Sequence, residues 1–312
     1  MVKDRLKIFS GTANPQLAQE ICSYLGVPLG AAAISTYSNE NIFVQIGENV
    51  RERDVFVVQP LQTPTSIVEL LLLLDSLRSA SASRITAVMP YYSYARSDKK
   101  DRPRISIAAR LFADVIVAAG ANRILTMTLH APQVQGFFSV PCDHLAATPI
   151  LCDYFAGKLD LSDFVALAAD AGSAKRAGAY AHRLNIPLAF VDKRRVSDLD
   201  VEVRNVVGEV QGKHVIIFDD EIAAAGSLAE TVKAIRQFEV GDVYAGATHG
   251  VFSGPAPERI RAMEVREVVV TNTVHVPAEK RDDKVTVLSV APLFGEAIKR
   301  IHTGESVSAL FS

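Results

Sequence analysis

Short apolar runs rich in β-branched residues alternate along this chain with longer segments whose apolar residues recur every three or four positions. The first half reads "DVFVVQP", "SIVELLLLLDSLRSA", "RITAVMPYY", "ISIAARLFADVIVAAG" and "RILTMTLH". The short runs predict buried strands and the longer ones the helices that cover them. Regular alternation of the two predicts a parallel sheet, because parallel neighbours need a crossover and a helix is the usual one. After "HLAATPILCDYFAG" the pattern restarts with "DFVALAAD", "SAKRAGAYAHRLN", "PLAFVDKR", "HVIIFDDE", "SLAETVKAIRQF", "DVYAGATHG", "EVVVTNT" and "KVTVLSVA". Two similar α/β units in tandem are therefore expected, residues 1–146 and 147–312, with the boundary near 143–150.

Composition narrows the class. The chain has 312 residues, 49% hydrophobic and 22% charged, enough apolar content to bury two cores. A formal net charge of −2 gives no global attraction to nucleic acid or to an anionic membrane. The greasiest run, "IVELLLLLDSL", is too short to span a bilayer, and "MVKDRLKIFSG" lacks the apolar core of a signal peptide. Cys22, Cys142 and Cys152 have no metal-ligand spacing, and their odd number suits a reducing compartment. A cytoplasmic protein is expected.

In open α/β sheets ligands sit beyond the carboxyl ends of the strands, so the polar residues that close predicted strands are the candidates for chemistry. Asp219 and Asp220 in "FDDEIAAAGSL" stand side by side after an apolar strand, where two like charges repel and are partly desolvated. They suit a divalent cation or the hydroxyls of a sugar. The small-residue stretch from Ala223 to Ser227 that leads into a helix offers backbone N–H groups and the helix dipole to a phosphate. The plainer alternative is a helix N-cap.

Lys193, Arg194 and Arg195 close another strand and suit a polyphosphate, or form a solvated charge run. "PYYSYARSDKKDRPRIS" places Arg96, Lys99, Lys100, Arg102 and Arg104 in one polar segment, either a lid over an anion or a solvated loop. His130 and Asp170 each end an apolar run; with substrate phosphates and water they could hold Mg²⁺, and a structural hydrogen-bonding role is the alternative for the histidine. His144, in "CDHLAATP", reads as structural.

Taken in order, "KIFSGTANPQLAQEI", "RITAVMPYYSYARSDKK", "LTMTLHAPQVQGFF", "DAGSAKRA", "VDKRR", "IFDDEIAAAGSL", "ATHGVFSGPAPERI" and "APLFGEAIKRIHTGESVSALF" resemble the ribose-phosphate pyrophosphokinase family nearly end to end. The resemblance implies two phosphoribosyltransferase-like domains, the tail from about residue 292 packing on the first. It implies Mg²⁺-dependent transfer of the β,γ-diphosphoryl group of ATP to the C1 hydroxyl of ribose 5-phosphate. On this likeness Lys193 and Arg195 stabilise the transferred group, and His130 and Asp170 serve metal and phosphate. Asp219 and Asp220 hold the ribose hydroxyls, and Ala223, Ala224, Ala225, Gly226 and Ser227 cradle the 5-phosphate. Arg96, Ser97, Asp98 and Lys99 belong to a nucleotide loop, and Tyr37, Asn39 and Asn41 to a hairpin that contacts adenine. It also implies a homo-oligomer, from dimer to hexamer, and places Ser306 and Ser308 near a regulatory site of some members.

The chain departs from the family pattern in specific places. The sugar-phosphate loop usually reads Asp-Asp-x-x-Asp-Thr-Ala-Gly-Thr, whereas Ala223 and Ala224 here replace an acid and a hydroxyl. Asn39 and Asn41 replace two acids, Ser97 a glutamine, and Thr128 an acid two residues before His130. These changes raise a rival expectation: a weakly active or inactive paralogue that binds sugar phosphate or nucleotide and regulates a partner.

Overall fold

The computed structural model describes residues 5–195 and 201–310; for 193–195 and 201–205 it describes the backbone alone. The chain divides into two compact units, residues 1–146 with 289–312, and residues 147–288.

The first unit runs β1 (Leu6–Ser10), α1 (Pro15–Leu25), β2 (Ala32–Thr36), β3 (Ile42–Ile46), β4 (Asp54–Val58), α2 (Pro64–Ser79), β5 (Arg84–Met89), α3 (Ala108–Ala119), β6 (Arg123–Met127) and β7 (Cys142–Leu145). Its five-stranded sheet has the order β1-β4-β5-β6-β7 with every pair parallel, while β2 and β3 form a separate antiparallel hairpin. Local chemistry sets the helix starts. Asn14 accepts the Leu17 N–H ahead of α1, and Thr63 and Ser66 make a reciprocal capping box ahead of α2, with Pro64 in the first turn. The leucine run of α2 is a core helix: Leu70, Leu73, Leu74 and Leu77 are all fully buried.

The second unit runs α4 (Thr148–Lys158), β8 (Phe164–Ala168), α5 (Ala174–Leu184), β9 (Leu188–Arg195), β10 (Val201–Val207), β11 (His214–Ile222), α6 (Gly226–Arg236), β12 (Val243–Gly250), α7 (Ala256–Ala262), β13 (Glu267–Thr271) and β14 (Val285–Leu288). The sheet order is β10-β9-β8-β11-β12-β13-β14, parallel except where β10 runs against β9. From β8 the chain goes to one side and then returns to add β11 on the other. The carboxyl ends of β8 and β11 therefore form a topological switch point, where neighbouring loops diverge and leave a crevice.

The last helix, α8 (Ala291–Thr303), belongs to the first unit and packs on α1. Gly295 is required there, because a Cβ would lie 2.3 Å from the Tyr24 ring. Asp54 accepts both Arg84 Nε (2.8 Å) and Nη2 (2.6 Å) and lies 2.7 Å from His302 Nδ1, so a half-buried carboxylate pins the end of α8 to the sheet.

The alternating pattern does not announce the hairpin, β7 or β10, and α3 begins at Ala108 rather than at Ile105. The acids Asp219 and Asp220 do not follow their strand but lie inside it. Pairing with β12 carries β11 on to Ile222, with Asp219 opposite Ala247 and Glu221 opposite His249.

Candidate active site

Asp219 and Asp220 stand on β11, with Asp170 in the loop that follows neighbouring β8. Alternation along the strand separates the two acids. The Asp220 side chain is 2% exposed and that of Asp219 34%. Arg176, in the first turn of α5, donates through Nη1 to Asp219 Oδ1 at 3.1 Å and to Asp220 Oδ1. The Asp220 N–H also donates to Asp219 Oδ1 at 2.9 Å. Burial, with the Asp220 carboxyl as neighbour, pushes the Asp219 carboxyl up to about 7, against the opposing pull of Arg176. Arg176 is the polar partner that sequence reasoning missed. Its signal was there, in a cation six residues beyond Asp170 on the helix that leaves the same strand end.

Asp170 is exposed, and its Oδ1 accepts the Ser173 N–H at 2.7 Å while Ser173 Oγ donates back to the Asp170 carbonyl at 3.0 Å. This closed turn orients one carboxylate and delivers Arg176 one turn of helix later.

Beyond the acids, the residues from Ala223 to Ala225 lead into α6. Ala225 takes a left-handed conformation, φ 57°, and caps the helix with no side-chain hydrogen bond, so the helix-cap alternative for Asp219 and Asp220 does not hold. Gly226 and Ser227 open the helix, where first-turn N–H groups have no intrahelical acceptor. The loop is fastened through its carbonyls: Ile222 accepts from the Val251 and Phe252 N–H groups, Ala223 from the Ser253 N–H at 3.0 Å, and Ala224 from Arg259 Nη1 at 2.9 Å. Lys193 and Arg195 fall on the last residues of β9, opposite Val203 and Val201 of β10; their side chains lie outside the described residues.

In the first unit, His130 is half-buried just after β6. The backbone before it is bent by Thr128, φ 42°, and anchored by the Thr128 N–H to the Leu145 carbonyl and the Leu129 N–H to His144 Nε2 at 2.8 Å. Burial holds the His144 imidazole below its ordinary value, which keeps Nε2 an acceptor; its role is structural. Arg96 ends a 3₁₀ turn, Ser93–Arg96, and is exposed, as is Lys99. The segment after it is closed at its base, where the Ala109 N–H reaches the Ser97 carbonyl at 3.2 Å, and Asp98 accepts from Gln133 at 2.5 Å. Tyr37, 56% exposed, opens the tip of the β2–β3 hairpin, its ring 5.9 Å from that of Phe43. Asn39 Oδ1 accepts the Asn41 N–H at 3.2 Å, so at that position an amide shapes the turn.

Among the described residues no three His, Cys, Asp or Glu side chains gather as a metal cluster. Asp170, exposed in the second unit, offers one carboxylate, which fits a cation that takes most of its ligands from phosphate and water better than one caged by protein; His130, half-buried in the first unit, offers one imidazole there.

Two α/β units with parallel sheets, the second carrying paired acids and a small-residue loop at its switch point, define a phosphoribosyltransferase-like protein. The family model for the N-terminal domain of ribose phosphate pyrophosphokinase matches residues 6–120, and that for the phosphoribosyl synthetase-associated domain matches 200–312. A ribose-phosphate pyrophosphokinase of Deinococcus radiodurans is 55% identical over 98% of both chains, and one of Caldanaerobacter subterraneus subsp. tengcongensis is 49% identical over the same shares. The crystal structure of phosphoribosylpyrophosphate synthetase from Mycobacterium smegmatis superposes with a TM-score of 0.91 at 40% identity, covering 96% of this chain and 99% of that one. The chain belongs to the ribose-phosphate pyrophosphokinase family.

Proposed function

We propose that this protein is a ribose-phosphate pyrophosphokinase that transfers the β,γ-diphosphoryl group of ATP to the C1 hydroxyl of ribose 5-phosphate, releasing AMP and phosphoribosyl pyrophosphate. The observation that carries the reading is the pairing of Asp219 and Asp220 with a helix N-terminus a few residues on whose N-cap residue is an alanine, in a chain similar to such enzymes from end to end. The acids accept hydrogen bonds from the ribose hydroxyls. The N–H groups from Ala223 to Ser227, with the Ser227 hydroxyl, take the 5-phosphate. That fixes the sugar at both ends and presents C1–OH, which converts a bimolecular encounter into a positioned one.

Lys193 and Arg195 neutralise charge on the diphosphoryl group as it passes between oxygens, a reaction that needs positioning and charge more than covalent participation. Arg96, Ser97, Asp98 and Lys99 engage the nucleotide, and Tyr37 offers a stacking face to the base, with Asn39 and Asn41 beside it. Asp170 in the second unit and His130 in the first would each serve Mg²⁺ and the phosphates it accompanies, and the ion would supply charge neutralisation. The enzyme works in the cytoplasm as a homo-oligomer. The test is incubation with ATP, ribose 5-phosphate and Mg²⁺, followed by phosphorus NMR. AMP and phosphoribosyl pyrophosphate in equal amounts are expected. Intact ribose 5-phosphate binding without AMP formation would reverse the assignment in favour of a regulatory paralogue.

A further inference from the structure

The first three residues of the loop assigned to the 5-phosphate bring no polar side chain to hold its shape. Ala223, Ala224 and Ala225 present only methyl groups, and Ala225 sits at φ 57°, a region that disfavours residues with a Cβ. Strain of that kind persists only where the surroundings impose it. The surroundings here are the segment between β12 and the end of α7. Backbone N–H groups from Val251 to Ser253 secure Ile222 and Ala223, and one side chain reaches further, Arg259 of α7, whose Nη1 donates to the Ala224 carbonyl at 2.9 Å. That same Nη1 lies 3.2 Å from where a Cβ on Gly226 would stand, so the guanidinium lies against the open face of the glycine that begins α6. Arg259 is otherwise an exposed residue. Holding its long side chain on one carbonyl costs rotamer freedom, which a charge-assisted bond offsets.

The geometry points to Arg259 as a positioning residue for the sugar phosphate. It clamps the Ala224 peptide so that the N–H groups of the loop and of the first turn of α6 face one anion, and it adds a positive charge behind them. With alanines at 223 and 224, the Ala224 carbonyl is held from outside the loop, by Arg259. The clamp rests on the phosphate-loop reading above and adds a residue that does not itself touch the substrate.

The test is calorimetric binding of ribose 5-phosphate to the full chain, which needs no turnover, beside steady-state kinetics. Arg259→Met should weaken ribose 5-phosphate binding about tenfold, in line with loss of one charge-assisted hydrogen bond, with KM for ATP unchanged. Arg259→Lys, which keeps charge and one donor, should fall between the two. Introducing Ala223→Asp and Ala224→Thr should restore loop side chains and shrink the effect of Arg259→Met. Wild-type affinity in Arg259→Met, or equal losses for ATP and sugar phosphate, would overturn the clamp. So would an Arg259→Lys protein, folded by circular dichroism, that binds no better than Arg259→Met. If wild type itself fails to bind ribose 5-phosphate, the phosphate-loop reading falls and the clamp with it; normal binding by wild type and variant alike removes the clamp alone.

Discussion

Replacing Asp219 by asparagine removes one of two carboxyls that face a single guanidinium, and the change should stabilise the protein while it damages the site. The amide keeps an oxygen for Arg176 Nη1 and for the Asp220 N–H, so shape is preserved. What is lost is charge. The folded carboxyl titrates at about 7 rather than at its ordinary 3.8, through burial first and Asp220 second. In full, a rise from 3.8 to about 7 would be worth about 4 kcal/mol. With 34% of the side chain open to water, screening reduces this to about 1–2 kcal/mol.

The sign follows from linkage. A carboxyl raised by folding costs nothing below the unfolded value, costs progressively more as pH climbs from about 4 to 7, and costs its full amount above 7. Asp219→Asn should therefore melt with wild type near pH 4.5 and about 2–5 °C above it at pH 8, in chelator and without substrates. The same variant should bind ribose 5-phosphate more weakly, an exchange of stability for function. A gain equal at both pH values, or a loss at pH 8, would refute the argument that Asp219 is held against its own charge.

Arg176→Met leaves the 2%-exposed Asp220 carboxylate without that cation, and should cost about 3 kcal/mol in urea unfolding at pH 8 and raise KM for ribose 5-phosphate more than KM for ATP. Lys193→Ala and Arg195→Ala should each lower kcat about 100-fold or more while calorimetry finds sugar-phosphate affinity within a few-fold of wild type; parallel losses in both would remove the transition-state role. Gly11→Ala puts a Cβ 2.3 Å from the fully buried Gln59 carboxamide, itself bonded to Glu69 at 2.7 Å, and should cost about 1–3 kcal/mol in urea unfolding with the sugar-phosphate affinity unchanged.

The strand-and-helix alternation was legible because burial on a parallel sheet imposes its own pattern, and each long apolar segment named a real element. The hairpin β2–β3 carries no such pattern: its residues are half-buried or exposed, and Tyr37 and Phe43 look outward. Strand β10 runs antiparallel along one edge of its sheet, where half of its partners are absent and the demand on composition is weak. The paired acids could be read as a site from repulsion alone, since two adjacent carboxylates at an apolar strand need a reason.

Composition, spacing and local chemistry thus specify what the long buried segments become and which residues carry charge, because those depend on neighbours in sequence. They could not specify that Arg176 reaches across to both acids, that Arg259 holds the Ala224 carbonyl, or that β11 continues through Asp219 and Asp220. Each of these is a meeting of residues 30 or more positions apart, or a strand lengthened by its partner. Such meetings are set by the order of strands in the sheet and by the helices packed on it, and that order becomes definite only when the chain has folded.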